Sequence, residues 1–284
     1  MLALDPDRYD AVAESGFEDH ACWPITEALL DLSRVTLGSR ILDVACGTGI
    51  VARRAAVRIG PAGTAIGIDL SNGRLQQARR LAELAGLAHV SFETMDACDM
   101  RFPTASFDAV VAQFPHLPDR MVCLREALRV LKPGGRLAIG NGGRGAPAWP
   151  VAHAPEFAGP KDAIMDRVFE DLLDKFLPAA LAPVTSGFIQ PMVTAPDREL
   201  IEAGFAAVER WSSAHTAAFT KAADLYAFEA TRNSGFRTRL SSLPPAAMER
   251  FRASFLDEAS RRLLRHGVLG ITTSALIAAG SKPL

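Results

Sequence analysis

Residues 41–52 read ILDVACGTGIVA, an apolar run that collapses into two glycines and a threonine and then turns apolar again. Ile41, Leu42 and Val44 have the character of a buried strand, and residues 50–58 (IVARRAAVR) that of a helix. Gly47 and Gly49 therefore fall on a strand-to-helix turn. Glycine there lets backbone come close to a ligand, and the helix start offers unpaired N–H groups. A triphosphate loop needs G-x-x-x-x-G-K-[ST], and no such lysine follows. The dinucleotide pattern G-x-G-x-x-G/A is met by Gly47, Gly49 and Ala52, but it is weak alone. A tight turn that holds no ligand is the plain alternative.

The next apolar run, residues 64–70 (TAIGIDL), ends in Asp69. A carboxylate at that place can accept hydrogen bonds from both hydroxyls of an adenosine ribose. Its ordinary role would be to cap the following helix. The ribose reading leaves two ligands open, a nicotinamide dinucleotide and S-adenosylmethionine.

Further along, apolar runs at 89–95, 107–114 and 136–141 alternate with helical patterns at 71–86 and 118–131. Such alternation predicts a parallel sheet covered on both faces, with ligands beyond the carboxyl ends of its strands. After Asn141 the rhythm breaks into a proline-rich stretch, 142–195, around one helical segment at 161–177. We read it as a cap insertion over the substrate pocket. Alternation then resumes, with helices at 197–205, 221–231 and 244–267 and strands at 206–216 and 268–282. The expected organisation is a core of residues 1–141 and 196–284 and a cap of 142–195.

The chain has 284 residues, 49% hydrophobic and 22% charged, with a net charge of −1. This balance suits a soluble enzyme and carries no basic excess for nucleic acid. The start of the chain lacks the basic and apolar regions of a secretion signal. No apolar run approaches the ~20 residues that span a bilayer. Cys22, Cys46, Cys98 and Cys123 are scattered without a C-x-x-C pair, which suggests neither a zinc site nor a disulfide framework. A reducing cytoplasm is the expected location.

LDVACGTG (42–49) resembles the first motif of the class I S-adenosylmethionine-dependent methyltransferases. GIDLS (67–71), Asp96-Ala97, FDAVVAQFPHLPD (107–119) and ALRVLKPGGRLAI (127–139) follow in that family's order. Within the family the chain is most similar to the ubiquinone/menaquinone-methyltransferase-like branch. The resemblance implies an α/β, Rossmann-like doubly wound fold with a mostly parallel seven-stranded sheet and a mainly helical cap. It implies S-adenosyl-L-methionine as cofactor and S-adenosyl-L-homocysteine as product. Backbone around Ala45, Gly47 and Gly49 would hold the methionine part. Asp43 would order that loop or reach the ammonium through water. Asp69 would take the ribose diol, Leu70 would pack on the adenine, and Asp96 and Ala97 would face its edge. Gln113 would lie near the methionine moiety, and Tyr9 would close over the cofactor or pack as an ordinary aromatic.

Methyl transfer from a sulfonium needs alignment and a dry cavity more than chemical help. An acceptor that must lose a proton needs a base, and histidine suits that work. His116 follows the fourth strand at the ligand end of the sheet, and His20 lies in the N-terminal segment. For either one, a structural role is the alternative. No N-P-P-Y or D-P-P-Y is present; QFPH (113–116) stands in its place. Large apolar side chains in the cap, such as Trp149, Phe169 and Phe176, either pack the cap onto the core or favour a lipophilic or aromatic small molecule over a protein or nucleic acid; no membrane partner is expected. The protein would act as a monomer or homodimer. A protein that keeps the cofactor fold without methylating is the rival reading.

Overall fold

The computed structural model describes residues 17–142, 163–165, 168–176, 195–232 and 239–284. Helix α1 (Phe17–Leu32) precedes β1 (Arg40–Val44), α2 (Ile50–Ile59), β2 (Thr64–Asp69), α3 (Asn72–Leu84), β3 (Val90–Thr94) and β4 (Phe107–Gln113). Then come α4 (Arg120–Val130), β5 (Leu131–Gly142), α5 (Val168–Phe176), α6 (Pro196–Ala203) and β6 (Ala206–Phe219). Helices α7 (Ala222–Arg232) and α8 (Pro245–His266) lead to β7 (Leu269–Ser281).

The strands form one seven-stranded sheet in the order β3-β2-β1-β4-β5-β7-β6. β1 to β5 are parallel, and β7 runs antiparallel to both β5 and β6. The order reverses at β1, which pairs with β2 on one side and β4 on the other. A crevice opens at the carboxyl ends where order reverses. The expected doubly wound α/β fold is thus present.

Local chemistry sets the helix starts. Ser71 caps α3 by accepting from the Arg74 N–H at 3.2 Å, and Asp119 caps α4 by accepting from the Val122 N–H at 3.1 Å. α8 begins at Pro245 and stops at Gly267, whose φ of 74° suits a residue without a Cβ. One sheet face buries Leu42, Val110, Leu137 and Ile139 under α4 and α6, and the other buries Ile41, Val111 and Ala138 under α1 and α2.

A separate apolar cluster lies beyond the parallel sheet. β5 pairs with β7 from Ala275 to Ser281, and the stretch from Leu269 to Ser274 projects past it, paired with β6. Ala217, Phe219, Leu269 and Ile271 on this ribbon pack with α5, α7 and α8 around the fully buried Phe169. The Phe169 ring meets Phe251 and Phe255 edge-on at 5.1 and 5.2 Å. Within the expected insertion, residues 143–162, 166–167 and 177–194 lie outside the described residues.

Three features differ from the sequence reading. Helix α1, which the sequence reading did not propose, forms with Pro24 inside it. The KPGG turn lies within β5, whose ladder with β4 shifts register between Phe107 and Ala109. Cys98 and Cys123 are joined by a disulfide, against the expectation of none. Their separation of 25 residues hides the pair, because α4 brings the second cysteine back against the loop after β3.

Candidate active site

β1 delivers Asp43 to the interior one residue before the strand ends, and it is only 1% exposed. Its Oδ2 accepts the Ala52 N–H at 2.9 Å. Gly49, the N-cap of α2, has no side chain to cap with, so Asp43 supplies from the strand the acceptor that the first turn of α2 lacks. Asp43 Oδ1 is buried and has no hydrogen-bond partner among the described residues. Burial is the main reason that the carboxyl pKa is pushed up to about 8; the Ala52 N–H opposes this and the nearby Asp69 charge adds to it.

The turn itself is built from left-handed backbone at Ala45 (φ 55°), Gly47 (φ 53°) and Gly49 (φ 77°). The Asp69 carboxylate ties it to β2: Oδ2 accepts from Gly47 N–H at 2.9 Å, and Oδ1 from Ser71 N–H at 2.9 Å. Since Ser71 is the cap of α3, Asp69 is left to organise the turn, with oxygen lone pairs to spare for a diol. Gly49 has a second reason to be glycine: a Cβ there would lie 2.5 Å from the Phe92 ring of β3. A Cβ on Gly47 would meet the Arg74 guanidinium at 2.8 Å, which places that cation over the turn.

Leu70 is half-buried beside Asp69. After β3, the exposed Asp96 holds its own loop by accepting from Cys98 N–H at 2.8 Å, and Ala97 packs on the core. At the end of β4, Gln113 Oε1 accepts the Thr26 hydroxyl of α1 at 2.7 Å. The chain then turns through Phe114 (φ 51°), with Pro115 and Leu117 buried and His116 exposed between them. The carboxyl ends of β1 to β4 thus gather Asp43, Ala45, Gly47, Gly49, Asp69, Leu70, Asp96, Ala97, Gln113 and His116. His20 belongs to α1, but its side chain lies outside the described residues, as does Tyr9 altogether. Sequence reasoning missed Thr26 and Arg74. For Arg74 a signal existed: it stands in the first turn of the helix that follows Asp69.

A methyltransferase-domain family profile matches residues 41–135. Aklanonic acid methyltransferase DauC of Streptomyces sp. strain C5 is 34% identical over 160 residues, which are 56% of this chain and 71% of that protein. Demethylmenaquinone methyltransferase of Listeria welshimeri is 38% identical over 146 residues, 50% of this chain and 60% of that protein. Phosphoethanolamine N-methyltransferase 2 of Haemonchus contortus, solved with S-adenosyl-L-methionine, shares the fold at a TM-score of 0.55 and 19% identity, covering 98% of this chain and 57% of that one. The chain belongs to the class I S-adenosylmethionine-dependent methyltransferases.

The residues present fit that cofactor. The methionine moiety carries an ammonium group, and the orphaned, buried Asp43 Oδ1 is an acceptor in need of a donor. The ribose carries two hydroxyls, and Asp69 is fixed by two backbone N–H groups with acceptor capacity left. Among the described residues no cluster could hold a metal ion, and no helix is long and apolar enough to cross a membrane.

Proposed function

We propose that this chain methylates an oxygen, nitrogen or carbon atom of a small lipophilic or aromatic metabolite. Bound at the turn, S-adenosylmethionine supplies an electrophilic methyl group on a good leaving group. The chain's own work is to fix the cofactor through Asp43, Asp69 and the turn backbone, and to keep water from the acceptor. The observation that carries the reading is the orphaned Asp43 oxygen beside a turn organised by Asp69. The two curated relatives are named for aklanonic acid and demethylmenaquinone, both small organic acceptors. The aromatic-rich cluster around Phe169 supports an apolar acceptor, with α5, α7 and α8 acting together with the 142–195 segment as the cap. A monomer or homodimer completes the proposal; the Cys98–Cys123 bond removes the reducing-cytoplasm argument for a location.

His116 is the proposed base. It projects to solvent from a loop whose neighbours Pro115 and Leu117 are buried, so the loop is held while the ring stays accessible. His20 is the second candidate. Proton transfer by a placed side chain is worth about 10²–10⁴-fold. His116→Ala should lower kcat by about that factor and leave cofactor affinity near wild type. An acidic limb of the pH–rate profile that persists in the variant would move the role to His20.

The test of the whole reading is incubation with methyl-labelled S-adenosylmethionine and a metabolite extract, followed by mass spectrometry. Label in a small apolar product supports it. Cofactor binding without any labelled product would favour the non-methylating alternative.

A further inference from the structure

β5 alternates between the two faces of the sheet. Leu137 and Ile139 pack under α4 and α6, and Ala138 packs under α1 and α2. Asn141 therefore shares the face of Ile139, one step nearer the carboxyl end. The neighbouring Gly140 pairs with Gln113, the last residue of β4, and its carbonyl accepts the Phe114 N–H at 2.7 Å. Asn141 thus lies level with the turn that leads from β4 to His116. On its other side it pairs with the buried Leu276 of β7.

At this place Asn141 is only 5% exposed, yet its amide nitrogen Nδ2 has no hydrogen-bond partner among the described residues. An amide that is buried without a partner costs stability, and such exceptions call for a reason. Leucine has the same branched heavy-atom skeleton with no polar atom to leave unpaired. A chain that keeps asparagine at the ligand end of a central strand, two positions beyond a run of core residues, holds a donor in reserve.

We infer that Asn141 is a substrate-binding residue whose Nδ2–H donates to a carbonyl, carboxylate or phenolate oxygen of the methyl acceptor. The inference rests on the methyl-transfer reading and narrows it: the acceptor carries such an oxygen beside the atom methylated. Being neutral, the amide gives this recognition no pH dependence of its own, so it is separable from the base.

Asn141→Leu and Asn141→Asp test it, with 1,4-dihydroxy-2-naphthoate, which offers carboxylate, phenol and ring carbon, as the probe acceptor. Without ligands, the Leu variant should melt at or above the wild-type temperature. Both variants should bind S-adenosylhomocysteine within about twofold of wild type. The KM for the probe should rise about 10- to 100-fold, the scale of one lost hydrogen bond that leaves its partner unpaired, with a smaller change in kcat. A marked fall in melting temperature for Asn141→Leu would make the amide structural and overturn the inference, as would an unchanged KM. The wild-type rate tests the methyl-transfer reading, and the variant-to-wild-type ratio tests Asn141. If the wild type methylates nothing in either the probe or the extract, both fall together.

Discussion

In the turn after β1, two carboxyl groups and a row of backbone N–H groups hold one another; in the cluster beyond the sheet, Phe169, Tyr226, Phe251 and Phe255 meet chiefly through their rings. The first region uses polar groups whose positions are set by the strands that deliver them. The second spends apolar area, which is indifferent to the exact partner so long as the volume is filled. The contrast teaches where each kind of specificity resides. On the proposed function, cofactor recognition would be tied to backbone geometry, and acceptor recognition would be free to change by repacking.

The comparison breaks most visibly at Phe169. Phe169→Ala removes the centre of the cluster between the β6–β7 ribbon and α5, α7 and α8 and should destabilise it by about 3–5 kcal/mol. S-adenosylhomocysteine affinity should stay within about twofold of wild type in protein that remains folded. A parallel loss of cofactor affinity, read by calorimetry, would show that the two regions are not separable.

The Cys98–Cys123 bond sharpens the comparison from the cofactor side. It ties the loop bearing Asp96 and Ala97 to α4, which also grips that loop through Glu126 and Arg129. Reduction, or Cys98→Ser, should lower stability by about 2–4 kcal/mol. The effect on cofactor affinity should be smaller, because those α4 side chains still hold the loop. Counting four free thiols in the unreduced, unfolded protein would remove the bond from the account.

Asp69 gives the next effect. Asp69→Ala should weaken S-adenosylhomocysteine binding by about 1–3 kcal/mol, since it strands both the ribose hydroxyls and the Gly47 N–H. Unchanged affinity in folded protein would take Asp69 out of the ribose site.

The strand, turn and acids of the candidate cofactor site were legible in the sequence for a physical reason. Residues 41–49 and 64–70 carry strand, turn and acid within a few positions of one another, so local pattern and local structure coincide. Asp43 reads as polar inside an apolar strand because it must reach across the turn to Ala52. The contacts that escaped reading join distant residues. Thr26 reaches Gln113 from 87 positions away, and Cys98 reaches Cys123 across a strand and a turn. The aromatic cluster shows the same limit. Phe169 announces itself only as a large apolar residue; that it meets α7 and α8 follows from how far the β6–β7 ribbon projects.

Asp43 carries the most direct test of the central claim. Because burial raises its pKa above the unfolded value of 3.8 to about 8, its contribution to stability is complete below about pH 4 and is lost as pH rises toward 8. Near pH 7 the carboxyl is therefore mostly protonated in the free protein, and an ammonium group beside Oδ1 should expel that proton. S-adenosylhomocysteine titrated by calorimetry at pH 7, in two buffers of different ionisation enthalpy, should bind with release approaching one proton. Release should shrink above pH 8 and vanish in Asp43→Asn, and NADH should give no binding heat. Tight NADH binding with none for S-adenosylhomocysteine would contradict the account, and proton release unchanged in Asp43→Asn would contradict the place given to Asp43 within it.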